Sequence, residues 1–312
     1  MGVFVFLPLV LPLSAWPIAR LAEHNLLPRT ATRLLTSVAA VMALCSTLCL
    51  ALAMVVGTAQ LPGNPLPDGW SDPEVREAVP YDEIVGKAAI PALIAVALAC
   101  ARVAWRHFRV RRQAQSALVD LPGGQVAVLP DAEPYAYALP GGRRGRERIV
   151  VTTGLLGHLD AGERRALFAH ERAHLSAGHH RFLLTVQLAA RANPFLRPLR
   201  TAVVFTAERW ADEESAQCVG DRKAVARAIG KAALVSRGAP VPSFAGFAAP
   251  GPVPRRVAAL LGPAPAARTW PPSFTTVGLA AWAAAAGTLL SAMSSANSAV
   301  TLALILRAAT PL

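Results

Sequence analysis

Charged and aromatic residues are both scarce in this chain of 312 residues. Only 16% of the residues are charged and 6% are aromatic, whereas 54% are hydrophobic and the mean hydropathy is +0.40. Such a composition is too apolar for an ordinary soluble domain and indicates several membrane spans. No stretch interleaves basic with aromatic residues as an RNA-binding surface does, so we expect no direct contact with nucleic acid.

Cysteine is scarce as well, and the four cysteines follow no spacing of a disulfide framework or of a cysteine zinc site. We expect them to act as small buried hydrophobic residues. Acidic residues are also few, 19 against 31 lysines and arginines, which gives a net charge of +12. In a membrane protein such an excess marks cytoplasmic loops rather than a nucleic-acid partner.

Four apolar stretches are predicted to cross the lipid bilayer. They are residues 2–19, 34–58 and 84–105, and a C-terminal helix within 271–312. The first stretch is of marginal length for about 30 Å of hydrocarbon. It also contains Pro8, Pro12 and Pro17, which predict a kinked span.

The charges of the loops orient these spans. The first loop carries Arg20, Arg29 and Arg33, and a further arginine cluster follows the third span. Residues 60–83, by contrast, carry six acidic side chains and one arginine. Because basic residues stay on the cytoplasmic side, we expect a multi-pass protein of the cell membrane with its N-terminus outside. Everything from residue 106 to about residue 272 is then expected in the cytoplasm.

One motif of the form H-E-x-x-H occupies positions 170–174. Upstream, Asp160 and Glu163 have the spacing of a capping box, which predicts that a helix begins there and carries the motif. Positions i and i+4 share one face of a helix, so His170 and His174 are predicted to bind one zinc ion per chain. A chance match is the alternative, expected in roughly one such chain in a few hundred.

A catalytic zinc needs a third protein ligand and one open position. Glu208 is the best candidate, on a helix predicted from about residue 198 to residue 218. Asp212 lies one turn further and is predicted to accept the ring N–H of a ligating histidine. Two alternatives stay open: the carboxylates form a solvated acidic face, or His179 or His180 supplies the third ligand.

Glu171, inside the motif, is the predicted general base. It would take a proton from the zinc-bound water and pass it to the leaving amine. A further hydrogen-bond donor usually stabilises the oxyanion of such a reaction. The unranked candidates for this donor are His158, His179, His180 and Arg209.

Short strands are predicted ahead of the motif at residues 125–129, 135–139 and 148–153. They predict a small sheet, which is either purely structural or holds an extended substrate by backbone pairing at its edge. Beyond the motif, residues 181–191 are predicted as a helix, either in the core or on the membrane, and residues 223–235 as another helix. Residues 238–268, rich in proline, glycine and alanine, are predicted as a loop or linker.

The chain resembles the gluzincin membrane proteases in residues 149–156, in residues 155–160, in the H-E-x-x-H and in the later Glu208-x-x-Ala211-Asp212. The resemblance extends over residues 118 to 235. Two branches of these proteases share the pattern: the BlaR/MecR-type antirepressor metallopeptidases, and the heat-shock and CAAX-prenyl proteases. The resemblance implies His170, His174 and Glu208 as zinc ligands and Glu171 as the general base.

The expected fold is a mainly α membrane protein with about four transmembrane helices and a cytoplasmic gluzincin-like α+β zinc metallopeptidase domain. The expected division is a membrane domain at 1–112, a peptidase domain at 113–270 and a C-terminal span at 271–312. The expected function is a zinc metalloendopeptidase in regulated signalling. The first branch implies a protein substrate such as a winged-helix repressor. The alternatives are a quality-control protease of the heat-shock type and a non-enzymatic sensor.

Overall fold

The computed structural model describes residues 5–119, 124–141, 146–236, 252–265, 272 and 274–310. Within these ranges the chain is mostly helical. The helices are α1 Leu7–Val10, α2 Ala15–Asn25, α3 Pro28–Ala59, α4 Pro73–Arg76, α5 Asp82–Ser116, α6 Thr153–His158, α7 Ala161–Ser176, α8 His179–Ala192, α9 Arg197–Val219, α10 Arg222–Val235, α11 Val253–Leu261 and α12 Thr276–Ala308. The strands are β1 Val126–Leu129, β2 Ala136–Leu139 and β3 Arg148–Thr152.

Three of the described helices are long and apolar enough to cross a membrane, namely α3, α5 and α12. They contain 32, 35 and 33 residues, whereas about 20 suffice to cross the hydrocarbon. They coincide with the predicted second, third and C-terminal spans. Each is long enough to project beyond the hydrocarbon.

The predicted first span is not one long helix. Of residues 2–19, the described part is divided among α1, a 3-10 turn over Leu11–Ser14 and the first turns of α2. Pro8 and Pro12 begin the first two of these pieces, because proline lacks the N–H that a continuous helix would need there. The broken segment packs in a core with α3 and α9 through three alanines of α2: Ala15, Ala19 and Ala22.

Helices α3 and α5 cross in direct backbone contact at two glycines. A Cβ built on Gly57 would lie 2.1 Å from the carbonyl carbon of Gly86, and one built on Gly86 would lie 2.8 Å from the Cα of Gly57. No side chain fits between the helices at this point. Small residues allow membrane helices to approach in this way, where close packing replaces the hydrophobic effect as the driving force.

The two ends of the helix bundle have different neighbours. At the start of α3, the hydroxyl of Thr32 donates to Thr206 of α9 at 2.9 Å, and Arg33 lies over the ring of Trp210. At the far end of the bundle, the indole N–H of Trp70 donates to Thr310 beyond α12, at 3.0 Å. Helix α9 and the loop between α3 and α5 therefore lie at opposite ends.

The sheet has the strand order β1-β3-β2, and all three predicted strands are present within a residue or two of their expected bounds. Strand β1 runs parallel to β3, pairing Val126 with Ile149. Strand β2 runs antiparallel to β3, pairing Ala136 with Val151. Strand β2 forms an edge of the described sheet and packs beside α7.

Helices α8 and α9 form a hairpin that packs against α3. Asn193 ends α8 and accepts a hydrogen bond from the backbone N–H of Phe195, and a 3-10 turn then leads into α9. Apolar side chains of both helices share one core with Leu35, Val38 and Met42 of α3. The helix predicted at 181–191 is present as α8 and contributes Val186 and Ala189 to this core. The helix predicted for Glu208 is present as α9, and Gly220 ends it with a φ of +75°.

The prediction of a loop or linker over residues 238–268 is wrong at residues 253–261. Residues Val253–Leu261 form α11, whose Leu260 packs with Val225 and Ala228 of α10. Two prolines open this segment, which resembles a loop in the sequence, but proline is well suited to the first turn of a helix. Residues 237–251 and 266–271 lie outside the described part of the chain.

Candidate metal centre

A complete capping box fixes the start of the helix that carries the motif. The carboxylate of Asp160 accepts from the N–H of Glu163 at 2.8 Å, and the carboxylate of Glu163 accepts from the N–H of Asp160 at 3.0 Å. Lys231 of α10 also binds the buried Glu163, with 2.8 Å between nitrogen and oxygen. The capping box and the contact with α10 thus fix the start of α7, ten residues before the first histidine of the motif.

The three predicted ligands lie together in the structure. The Nε2 atoms of His170 and His174 are 3.1 Å apart, and the carboxylate oxygens of Glu208 are 3.4 Å from His174 Nε2 and 3.6 Å from His170 Nε2. In a tetrahedral zinc site with bonds of 2.0–2.1 Å, ligand atoms are about 3.3 Å apart. The donor set and its spacing therefore fit one zinc ion, and this is the one such group among the described residues.

The other ring nitrogen of each histidine also has a neighbour. His170 Nδ1 lies 3.1 Å from Oδ1 of Asp212, whose side chain is fully buried. His174 Nδ1 lies 2.8 Å from Nδ1 of His179. Partners at these positions fix the orientation and tautomer of a metal-binding imidazole. Asp212 thus occupies the place predicted for it, and His179 lies on the side of His174 that faces away from Glu208.

Glu171 interacts both with the ligand group and with the sheet. The residue is almost completely buried, and its carboxyl interacts with His170 and Glu208 and with the backbone of Ala138 in β2. Burial raises the pKa of the Glu171 carboxyl above its ordinary value, against the opposing effect of His170. A carboxylate made more basic in this way is a better proton acceptor near neutral pH.

Arg256, on α11, is a site residue that the sequence analysis missed. Its Nε and Nη2 donate to the two oxygens of Asp212 at 2.9 and 2.7 Å, and its Nη1 lies 2.9 Å from Oε2 of Glu208. Arg256 was predicted to lie in a linker, 44 positions from Asp212. The apolar spacing of Val257 and Leu260 hints at a helix in the sequence, but nothing there connects that helix with the acidic residues of α9.

Charges within the site set its protonation. Burial raises the pKa of Glu208, but the opposing effect of Arg256 and the two histidines is larger. The pKa of Glu208 therefore lies well below its usual range. Burial lowers the pKa of His174 to about 4, which leaves this imidazole neutral and able to bind a metal. Burial also lowers the pKa of His170, but Asp212 and Glu208 outweigh it and raise the pKa to about 10.

The four candidate oxyanion donors have different surroundings. Arg209 forms an ion pair with Glu213. His158 is exposed at the end of α6. His179 contacts His174, and burial together with Arg111 lowers the pKa of His180 to about 4. Neither His179 nor His180 belongs to the described group of possible metal ligands, which supports Glu208 as the third ligand.

Residues 101–195 of the chain match the family model of Peptidase family M48. Protease HtpX of Xanthomonas oryzae pv. oryzae (strain PXO99A) is 42% identical over 74 residues, which are 24% of this chain and 24% of the relative. Protease HtpX of Idiomarina loihiensis is 39% identical over 83 residues, 27% of this chain and 28% of the relative. No solved structure matches the chain.

The chain spans about a quarter of the length of the curated relatives it matches. The match to the family includes His170, Glu171 and His174, whereas Glu208 and Arg256 lie beyond it. These findings support a membrane metalloprotease, and they favour the heat-shock branch of the two that the sequence resembles. They give no support to the BlaR/MecR-type branch, to a role in signal transduction or to a winged-helix repressor as the substrate.

Proposed function

We propose that the protein is an integral-membrane zinc endopeptidase that cleaves membrane proteins at their membrane-proximal segments, as in quality control. The observation that carries this proposal is the convergence of His170, His174 and Glu208 at the spacing of a tetrahedral zinc site. Residues 1–112 and 271–312 form the membrane part in this proposal, and residues 113–270 form the peptidase domain.

Each site residue has a distinct task in the proposed reaction. His170, His174 and Glu208 would hold the metal, which would supply a Lewis acid and lower the pKa of a water molecule toward about 7. Glu171 would accept a proton from the attacking water and deliver it to the leaving amine.

Among the described strands, β2 pairs on one side only, and its other edge supports an extended peptide as the substrate. The backbone carbonyl of Tyr135 accepts from Thr152 of β3, so the odd-numbered positions here face β3. The backbone groups of Ala136 and Ala138 therefore face away from β3, and the backbone of Ala138 interacts with the Glu171 carboxyl. Since alternate residues of a strand present their backbone groups on the same side, an extended peptide can pair with β2 beside the catalytic base.

The contacts between α9 and α3 support the proposal that the substrates lie at the membrane surface. Thr206, two residues before Glu208, accepts a hydrogen bond from Thr32 near the start of a membrane-crossing helix. The ligand group therefore lies close to one end of the bundle. The arginines of the first loop and of α5 lie at that same end, which supports a cytoplasmic site. In this proposal the chain crosses the membrane three times, through α3, α5 and α12.

The test compares two forms of one substrate. Purified protein in proteoliposomes is incubated with a single-span protein that has a loosely folded tail, and separately with the same tail in soluble form. We expect faster cleavage of the anchored form, loss of cleavage with a zinc chelator, recovery with added zinc, and no cleavage by Glu171→Gln. Equal rates on both forms would remove the membrane-proximal part of the proposal, and zinc-independent cleavage would remove the whole of it.

A further inference from the structure

One arginine is bound to both acidic residues of the metal centre. Arg256 is 6% exposed, and its guanidinium reaches Asp212 through two nitrogens and Glu208 through the third. A guanidinium is planar and presents its donors as a rigid fork that matches carboxylates. All three of its nitrogens are thus engaged by the two carboxylates.

The two carboxylates need such a partner because they are close together and buried. Glu208 and Asp212 lie one turn apart on α9 and are 7% and 0% exposed. Buried carboxylates without a counter-charge are strongly destabilising, and neighbouring like charges disfavour each other's ionisation. Arg256 supplies the counter-charge from a different helix, at a position that the ligand histidines do not occupy.

The contacts of Arg256 also divide the oxygens of the carboxylates between different tasks. Arg256 binds Oε2 of Glu208, the oxygen that also lies 3.6 Å from His170 Nε2, whereas Oε1 lies 3.4 Å from His174 Nε2. Arg256 likewise binds both oxygens of Asp212, one of which faces Nδ1 of His170. The orientation of the third ligand and the orientation of the first ligand therefore depend on the same guanidinium.

Helix α11, which carries Arg256, is anchored at both ends. Near its start, Arg255 lies 4.2 Å from the ring centroid of Phe205 and 3.1 Å from a carboxylate oxygen of Glu23 on α2. At its end, Arg222 of α10 donates to the carbonyls of Ala259 and Leu260 at 2.9 and 3.1 Å. A cation that binds the last carbonyls of a helix stabilises its end. The position of Arg256 is thus fixed by contacts outside the metal centre.

We propose that Arg256 is a positioning residue of the metal centre: it holds Glu208 as a ligand through one oxygen and fixes Asp212 against His170. This inference rests on the proposed function, since it assumes that the ligand group binds zinc. Arg256 acts through Glu208 and Asp212, and its removal frees the second oxygen of Glu208 to approach the metal. Zinc affinity and coordination geometry then change together.

The experiment measures metal binding without any substrate. Arg256→Met, Arg256→Lys and a control, Arg227→Met, are titrated with zinc against a chelator, and their cobalt forms are compared by visible absorption. Arg227 is a matched control because its side chain is 57% exposed and lies 4.0 Å from Asp221, away from the ligand group. We expect Arg256→Met to lose about 10–100-fold in zinc affinity, as for other partners of metal ligands.

The cobalt spectrum separates positioning from mere stability. Arg256→Met is expected to show weaker and shifted absorption, because a second carboxylate oxygen raises the coordination number, whereas Arg227→Met keeps the wild-type spectrum. Arg256→Lys keeps the charge without the fork, and we expect an affinity between those of wild type and Arg256→Met. Wild-type affinity and spectrum in Arg256→Met would overturn the inference, and so would the same result for Arg256→Lys if the methionine variant does not fold.

Failure of the proposed function gives a different result from failure of this inference. If the wild-type protein itself binds no zinc, the proposed function fails and this inference fails with it. If the wild type binds zinc and cleaves its substrate, and Arg256→Met binds zinc equally well, only the role of Arg256 is lost.

Discussion

The Nδ1 atoms of His174 and His179 lie 2.8 Å apart, on the side of the His174 ring that faces away from Glu208. One of these nitrogens has to donate and the other has to accept. When His174 binds a metal through Nε2, its own proton is on Nδ1, so His179 is the acceptor. Burial lowers the pKa of His179 to about 2, with a smaller contribution from His174, and this keeps the His179 ring neutral and able to accept.

The first prediction tests this hydrogen bond with two substitutions of His179. Leucine removes the acceptor, whereas the side-chain oxygen of asparagine takes nearly the position of the imidazole Nδ1. We expect His179→Leu to lower zinc affinity by about 10–100-fold and His179→Asn to lower it less. Chelator competition measures both, with His180→Leu as the neighbouring control at wild-type affinity. Equal losses in the leucine and asparagine variants would show that the hydrogen bond does not matter.

The second prediction concerns the general base. Glu171→Gln is expected to retain zinc at wild-type affinity and to lose about 10²–10⁴-fold in kcat, because the amide cannot take a proton. Single-turnover cleavage and metal analysis of the same sample check the two parts. Near wild-type turnover in this variant would remove the role given to Glu171.

The pH dependence of cleavage gives the third prediction. The pKa of Glu171 is raised by burial, so its carboxylate form is present above that raised value and is lost as the pH falls through it. The acidic limb of kcat/KM against pH should therefore lie above the ordinary pKa of 4.5 for this side chain. A profile that stays flat down to pH 4.5 would contradict the burial of an ionised Glu171 as the essential base.

The fourth prediction separates a ligand from its neighbour on α9. Glu208→Ala should lose zinc and abolish activity, whereas Asp212→Asn should lower zinc affinity by about 10–100-fold and leave a bound metal at high zinc concentration. Metal content after dialysis against graded zinc distinguishes the two. Retention of both zinc and activity in Glu208→Ala, together with their loss in His179→Leu or His180→Leu, would move the third ligand to those histidines.

The sequence predicted the parts of the site that depend on local spacing. His170 and His174 share a helix face, and Glu208 and Asp212 share another, so a period of 3.6 residues is enough to find them. Arg256 could not be found in this way, because its partners lie on a different helix and the contact is made only in the folded chain. The same holds for His179, whose hydrogen bond depends on how α8 turns away from α7.

The sequence also predicted the positions of those membrane helices that hydropathy alone is enough to locate. The helices α3, α5 and α12 are long and uniformly apolar, and their places follow from hydropathy. The N-terminal stretch is just as apolar but contains prolines, and its short helices pack against α3 and α9 rather than forming one long helix. Hydropathy records how apolar a segment is, and it does not record whether lipid or protein surrounds it.

The fifth prediction concerns the contact between α3 and α5. Gly57→Ala places a methyl group 2.1 Å from the backbone of Gly86, which the two helices can accommodate only by separating. We expect a clear fall in the thermal unfolding temperature in detergent. Gly287→Ala on α12 is the matched control, since its nearest neighbour, the side chain of Leu11, lies 4.0 Å away. Equal unfolding temperatures for the two variants would show that the crossing has room to adjust.

The sidedness of the proposed peptidase domain decides which proteins could be its substrates, and cysteine labelling tests it. Cys218 is exposed on α9, so it is first replaced by serine to remove its signal. Exposed Ser71, in the loop between α3 and α5, and exposed Ser116, at the end of α5, are then changed to cysteine one at a time. We expect an impermeant maleimide to label Ser71→Cys in intact cells and to label Ser116→Cys only after permeabilisation.

This expectation follows from two independent features of the chain. The packing of α9 on the start of α3, and of Trp70 on Thr310, places the metal centre and the second loop at opposite ends of the bundle. The arginines of the first loop and of α5 then select the end that stays in the cytoplasm, because translocating them is costly. Labelling of Ser116→Cys but not of Ser71→Cys in intact cells would leave the packing intact and reverse its orientation. The metal centre would then act on the outer face, and the cytosolic ends of membrane proteins could not be its substrates.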